Sequence, residues 1–300
     1  MSSLSLPASG LASDRAMAVI EARRMARHPV FVLGVALGFA ALGMYVVGVG
    51  DETGIPAVLV AFPLLGAFYI GLTSVIAAAL LTRSTEVAVE AVATAPGTEA
   101  RRTLALAAAG IPPLVAGLVF SVTSLVCAKV IGVAPQEWWF GTMPDWQVWS
   151  IVLIGPVACF DGALLGVLAG RWLRFRGASA VVVVVLIVVS VLGQPERLLN
   201  ADSSEWRLWV PWAIWHLGDN PDGTQTLVAG NPAANLGYML ALGALAVLGA
   251  MWHDGTARTP RFRVVVAAVV AAAVAFFVLS AMTGNSDNLV SDPIPSRVSG

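Results

Sequence analysis

One side chain stands out for chemistry. Asp161 lies in Cys159-Phe160-Asp161-Gly162, near the middle of a long apolar stretch. A carboxylate at mid-bilayer costs roughly 2.5–3.5 kcal/mol on insertion scales, which makes it a functional-site candidate by default. Two roles are open. Desolvation could keep the group protonated and hydrogen-bonded to a backbone or hydroxyl neighbour. Alternatively it faces a wet cavity and serves ions or substrate. Little else could react. Cys127 and Cys159 fall inside apolar stretches and form no Cys/His cluster. His28, His216 and His253 are far apart and lack metal-ligand spacing. The one lysine, Lys129, has no glycine-rich phosphate loop beside it, so ATP hydrolysis through a Walker motif is excluded. GxSxG, HExxH and paired intramembrane carboxylates are absent. The expectation is a chain that is not an enzyme, with no catalytic, cofactor or metal residues of its own.

The elements that would position Asp161 follow from composition. Of 300 residues, 58% are hydrophobic and 12% charged, with mean hydropathy +0.82. Soluble domains average about 25% charged residues. A formal net charge of -1 gives no basic field for nucleic acid, which is excluded as a partner. These features imply an integral membrane protein surrounded by lipid. A crossing helix needs about 20 apolar residues. Seven stretches qualify: Val30–Val49, Ala57–Leu81, Thr103–Ile131, Val148–Ala169, Ala178–Gly193, Ala234–Trp252 and Val264–Thr283. The third carries Pro112-Pro113, which predicts a kink or a later start. None alternates with period two, so a membrane barrel is excluded. The expected fold class is all-α: a polytopic membrane helix bundle of about seven transmembrane helices.

Charge orients the spans. Basic residues favour cytoplasmic loops. With the N-terminus inside, the inner segments hold Arg15, Arg23, Arg24, Arg27, Arg83, Arg101, Arg102, Arg171, Arg174, Arg176, Arg258, Arg261 and Arg263, and only four of the 17 basic residues lie outside. This asymmetry predicts a multi-pass protein of the plasma (inner) membrane, N-terminus cytoplasmic and C-terminus outside. No signal peptide is expected before the first span.

The segments between spans carry the remaining signals. Residues 1–29 read as a cytoplasmic tail with a lead-in helix over 14–28, apolar on Ala18, Val19, Ala22, Met25 and Ala26 and basic on Arg23, Arg24, Arg27 and His28. After span two, Ser84 or Thr85 could cap a short membrane-parallel helix over about 84–94, ended by Ala95-Pro96-Gly97. The outer segment 194–233 is too apolar for a simple loop, and an interfacial or re-entrant hairpin with two half-helices about Pro211 is expected. Within it Trp206, Trp209, Trp212 and Trp215 recur every three residues, an outer interfacial set. Small-residue ridges suited to helix packing are Gly162, Gly166 and Gly170, with a weaker pair at Gly34 and Gly38. Residues 284–300 read as a flexible outer tail.

Taken in order, the lead-in Glu21-Ala-Arg-Arg-Met-Ala-Arg-His-Pro29, the short inner helix, Pro96 with Arg101-Arg102-Thr103-Leu104-Ala105-Leu106, Gly162-Ala-Leu-Leu-Gly-Val-Leu-Ala-Gly-Arg171-Trp172 and the Trp-rich outer segment carry a likeness. Over roughly residues 15–253 the chain resembles actinobacterial permease subunits of type-2 ATP-binding-cassette transporters. The resemblance implies a six-span core over 30–253, to which this chain adds a seventh span at 264–283. It implies a second permease subunit, identical or not, and ATPase subunits beneath that bind ATP and magnesium. It also implies an exporter working by alternating access. The ATPase contacts it implies are Arg23, Arg24 and Arg27 on the lead-in helix and Glu86, Ala88, Glu90 and Ala91 on the inner helix. Two other readings remain: a secondary, ion-coupled transporter using Asp161, or a non-catalytic membrane sensor or assembly subunit.

Overall fold

The computed structural model describes residues 8–48, 65–87, 98–130, 145–173, 175, 177–193, 215–219, 225–229, 231–283 and 290–291. Helices dominate them. They are α1 (Ala8–Ala26), α2 (Pro29–Gly48), a π turn (Ala67–Gly71) running into α3 (Leu72–Val87), α4 (Glu99–Ala107), a 3-10 turn (Ala108–Gly110), α5 (Ile111–Val130), α6 (Asp145–Trp172), α7 (Ala178–Gly193), α8 (Pro232–Trp252), a 3-10 turn (Gly255–Ala257) and α9 (Pro260–Thr283). Strands β1 (Trp215–Asp219), β2 (Gln225–Ala229) and β3 (Val290–Ser291) form one small sheet.

Five helical stretches are long and apolar enough to cross a membrane: Ala67–Thr85, Glu99–Cys127, Val152–Trp172, Pro232–Trp252 and Pro260–Thr283. A sixth arises if α1 and α2, which meet at a 55° bend, count as one broken span. Ala178–Ser190 is apolar but shorter. The chain is therefore a helical protein of multi-pass membrane type.

Local sequence explains the breaks. Pro29 opens α2 and disfavours helical backbone at His28, so the chain bends there. Thr98 caps α4, its hydroxyl accepting from the Arg101 N–H at 3.4 Å. The third span starts at Glu99, earlier than Thr103. Pro112 and Pro113 fall in the first turn of α5, where their missing N–H groups cost nothing, and the 3-10 turn before them takes up the break. The π turn shifts the ladder at the start of α3. Thr73 Oγ1 donates to the Tyr69 carbonyl at 2.6 Å and Ser74 Oγ to that of Ile70 at 2.6 Å, so hydroxyls take up those carbonyls.

Packing centres on α6, which touches α3, α5 and α8 along its length. Two seams are closed by glycine. A Cβ on Gly162 would stand 2.5 Å from the Gly71 carbonyl, one on Gly166 would run into the Val75 carbonyl, and one on Gly170 would meet Thr82 Cβ at 2.7 Å. The Gly162–Gly166–Gly170 ridge thus packs against α3 of the same chain. Gly34 lies on Thr73, and Gly38 on Tyr69 and Ile70, so the second glycine pair seats α2 on the opposite side of α3. Helix α9 packs on α8, with Phe276 against Gly237 and Tyr238 against Phe277 at 5.9 Å. Asn231 ties the two: its Oδ1 accepts from the Ala233 and Ala234 N–H groups, and its Nδ2 donates to Thr283 Oγ1 at 3.0 Å.

Four expectations change. Ser84 and Thr85 do not start a new helix: their hydroxyls donate back to the Leu81 carbonyl and α3 runs on to Val87. The rest of the expected inner helix, 88–94, lies outside the described residues. In the outer segment, Trp215 sits on a strand, not a half-helix. β1 pairs antiparallel with β2 from Trp215↔Ala229 to Asp219↔Gln225. The turn-forming residues Asn220-Pro221-Asp222-Gly223 between them were the overlooked signal. Within the tail expected to be flexible, Val290 and Ser291 pair with β2. Trp206, Trp209 and Trp212 lie outside the described residues. Finally, the inward face of α1 keeps Ala18, Ala22 and Met25 of the expected set but is rotated away from Val19 and Ala26. Met17, Ala18, Glu21, Ala22 and Met25 turn inward, while Val19 and Ile20 are exposed. Met25 is fully buried against the junction of α4 and α5, and its spacing from Met17, Ala18 and Ala22 selects that stripe.

Candidate functional site

Five helix ends meet at one end of the bundle, and three arginines there join a polar network. Arg24 of α1 donates to Glu21 Oε1 at 2.9 Å and reaches the end of α3 through Ser84 Oγ at 2.8 Å and Thr85 Oγ1 at 3.3 Å. Arg83 of α3 donates to the Leu173 carbonyl after α6 at 2.7 Å. Arg171, at the end of α6, is nearly buried. It donates to Glu99 Oε1 and to Thr103 Oγ1 of α4, each at 3.2 Å. The same Glu99 oxygen lies 3.3 Å from His253 Nδ1 at the end of α8. Trp172 closes the set, its indole N–H donating to the Gly249 carbonyl at 2.9 Å and its ring standing edge-on to His253.

Asp254 extends this network. Its Oδ1 accepts from the Thr256 N–H at 2.9 Å and from the Thr256 hydroxyl at 2.7 Å, and its carboxylate also receives the Ala100 N–H of α4. The hydroxyl bond, with help from these N–H groups and the Arg171 charge, holds the carboxyl below its ordinary range. One acid thus caps the turn before α9 and the start of α4. Outside the network Arg23 and Arg27 of α1, Arg101 of α4, and Arg258, Arg261 and Arg263 around the start of α9 are exposed. This basic end presents a rim of guanidinium groups on a rigidly tied platform.

The other polar features lie within the apolar body, between α6 and α8. Asp161 lies against Gly243, where a Cβ would collide with its Oδ1. That oxygen is buried and has no hydrogen-bond partner among the described residues. Asn235 of α8 is 0% exposed, and both its amide atoms also lack partners.

Of the residues singled out by sequence, Arg23 and Arg27 are on the exposed rim, while Arg24 is occupied by α3. Glu86 is in the last turn of α3. Ala88, Glu90 and Ala91 lie outside the described residues. The five ridge glycines serve packing inside the chain, and Asp161 shares its seam with Asn235. Asn235, Glu99, Arg171 and His253 escaped notice as a set. Glu99 and His253 are 154 residues apart, and no spacing rule links them. Asn235 could have been noticed as an amide one turn into an apolar span. Among the described residues no group of three His, Cys, Asp or Glu is placed to hold a metal ion. Compared with known proteins, the chain matches no family model, no curated protein and no solved structure.

Proposed function

We propose that this chain is the membrane-spanning subunit of an ATP-driven transporter, an exporter of the type-2 ATP-binding-cassette kind, with a separate ATPase docked at the basic end. The observation that carries the reading is the platform there: α1 bends away from α2, is clamped to α3 by Arg24, and presents Arg23 and Arg27 outward, while Arg101 of α4 is exposed near Asp14 of α1. A push on such a helix reaches α3, α4 and α6 directly, because the same network ties their ends. By the bias of basic residues the platform is cytoplasmic, and the membrane is the plasma membrane. A second permease subunit completes the transporter, and ATP with magnesium is bound by the partner.

The test is purification of the tagged full-length chain from its native membranes. An ATP-binding-cassette ATPase is expected to accompany it. Charge reversal at both Arg23 and Arg27 should release that ATPase while leaving membrane insertion intact. Ala88→Trp should leave ATP hydrolysis running without transport. A preparation with no ATPase sinks the reading. Reporter fusions at Ser13 and after Ser286 test the orientation and should give opposite signals, whereas equal signals would mean an even number of spans. One observation favours a second reading, an ion-coupled transporter: the unpartnered Asp161.

A further inference from the structure

Asn235, Met239 and Gly243 follow one another at four-residue spacing and share one face of α8. Each faces α6. Met239 is fully buried in one cluster with Ile154, Val157 and Ala158, and Gly243 lies on Asp161 and Leu164. Low numbers meet low numbers, so α6 and α8 run in the same direction, and Asn235 lies toward the end away from the basic platform. The seam thus carries a buried amide, then a thioether, then a carboxyl group.

Among the described residues, both amide atoms of Asn235 and the Oδ1 of Asp161 lack partners. A primary amide offers two donors and an acceptor with two lone pairs, and leaving such a group unmet in the interior is costly. Orphans of this kind call for a water or an ion. A water needs two to four polar neighbours, and the Asn235 amide can supply several. Between the two levels stands Met239, an unbranched and adaptable side chain that can leave and refill a gap. Gly243 removes the one Cβ that would displace the carboxyl group. Among the described residues, the groups facing Asp161 carry no countercharge. Its titratable neighbour on its own helix is Cys159. α8 offers Gly243, while its Tyr238 stands against Phe277 of α9. α3 offers Gly71 beside Gly162. No described ion pair includes Asp161.

We propose that the α6–α8 seam is a proton path: Asp161 is the proton-binding group, Asn235 holds the water that feeds it, and Met239 is the plug between them. Binding forms one O–H bond on the Asp161 carboxylate as the seam water hands over a proton and takes another from the aqueous phase in the same relay, and release runs the relay in reverse. The site stands whether or not an ATPase drives the protein, and its test needs only this chain.

Full-length protein in lipid nanodiscs should show an infrared C=O band of a protonated carboxyl group. The band should shrink as the buffer is made alkaline and vanish in Asp161→Asn. A band absent from the wild type, or one indifferent to buffer pH, would overturn the proposal without any variant having to fold. Dicyclohexylcarbodiimide, which modifies protonated carboxyl groups in apolar surroundings, reads the path. Peptide mapping should place the adduct on Asp161. Labelling should speed up severalfold in Met239→Ala and slow severalfold in Asn235→Leu. Rates equal to wild type in both variants would count against the plug and the water station.

Discussion

Replacing Glu99 with Ala is expected to lower stability by about 3 kcal/mol, the low end of the cost of breaking a buried ion pair. The low end applies because the two partners differ: the Arg171 side chain is 6% exposed and that of Glu99 38%. Deleting Glu99 leaves a guanidinium group held away from water with its nearest carboxylate gone. The reverse change, Arg171→Met, leaves an acid that water can reach, and methionine fills the space of the arginine stem. It should therefore cost clearly less. Glu99→Gln keeps an acceptor for Arg171 without the charge and should fall between the two. Thermal unfolding of the purified variants measures all three. Equal losses from Glu99→Ala and Arg171→Met would show that burial does not set the energetics of this pair. Since the Glu99 oxygen also faces His253, the Ala variant should loosen α8 as well as α6, read as faster amide exchange at both helix ends.

The second large effect is expected at Gly166. The Val75 carbonyl and the Ala78 methyl occupy the place of a Cβ there, and neither is the movable tip of a long side chain. Gly166→Ala should cost about 1–3 kcal/mol, the usual range for overpacking. Gly166→Leu should force α3 and α6 apart and leave little monodisperse protein on size-exclusion chromatography. Gly43 supplies the control, since nothing lies within 4 Å of a Cβ built there. Gly43→Leu should insert and purify normally. If Gly166→Leu behaves like Gly43→Leu, the α3–α6 seam is not held by backbone contact.

The sequence by itself determined which stretches are helical and apolar. Bilayer thickness and the need to satisfy backbone groups leave little choice once 20 apolar residues follow one another. Ala178–Gly193 has the same bounds in sequence and structure, because Gly177, at φ +87°, and Gly193 mark its two ends. The ridge at Gly162, Gly166 and Gly170 was legible as a packing surface, for only small residues let helix backbones touch. Its partner was not, since any of the other helices could have filled that groove, and the structure chooses α3. The face of α1 was legible at Ala18, Ala22 and Met25 but misjudged at its edge, for a related reason. Hydrophobicity placed Val19 inward, but contact with the α4–α5 junction buries the stripe through Met17 and Met25 and leaves Val19 in the open. Asp161 was conspicuous as one charge in an apolar run. That its carboxyl group faces Gly243 and shares a seam with Asn235 was decided only by tertiary packing. Pairings between residues 72 to 154 apart, such as Glu99 with Arg171 and His253, leave no periodic mark in a chain. They exist because three separate helices end at the same depth.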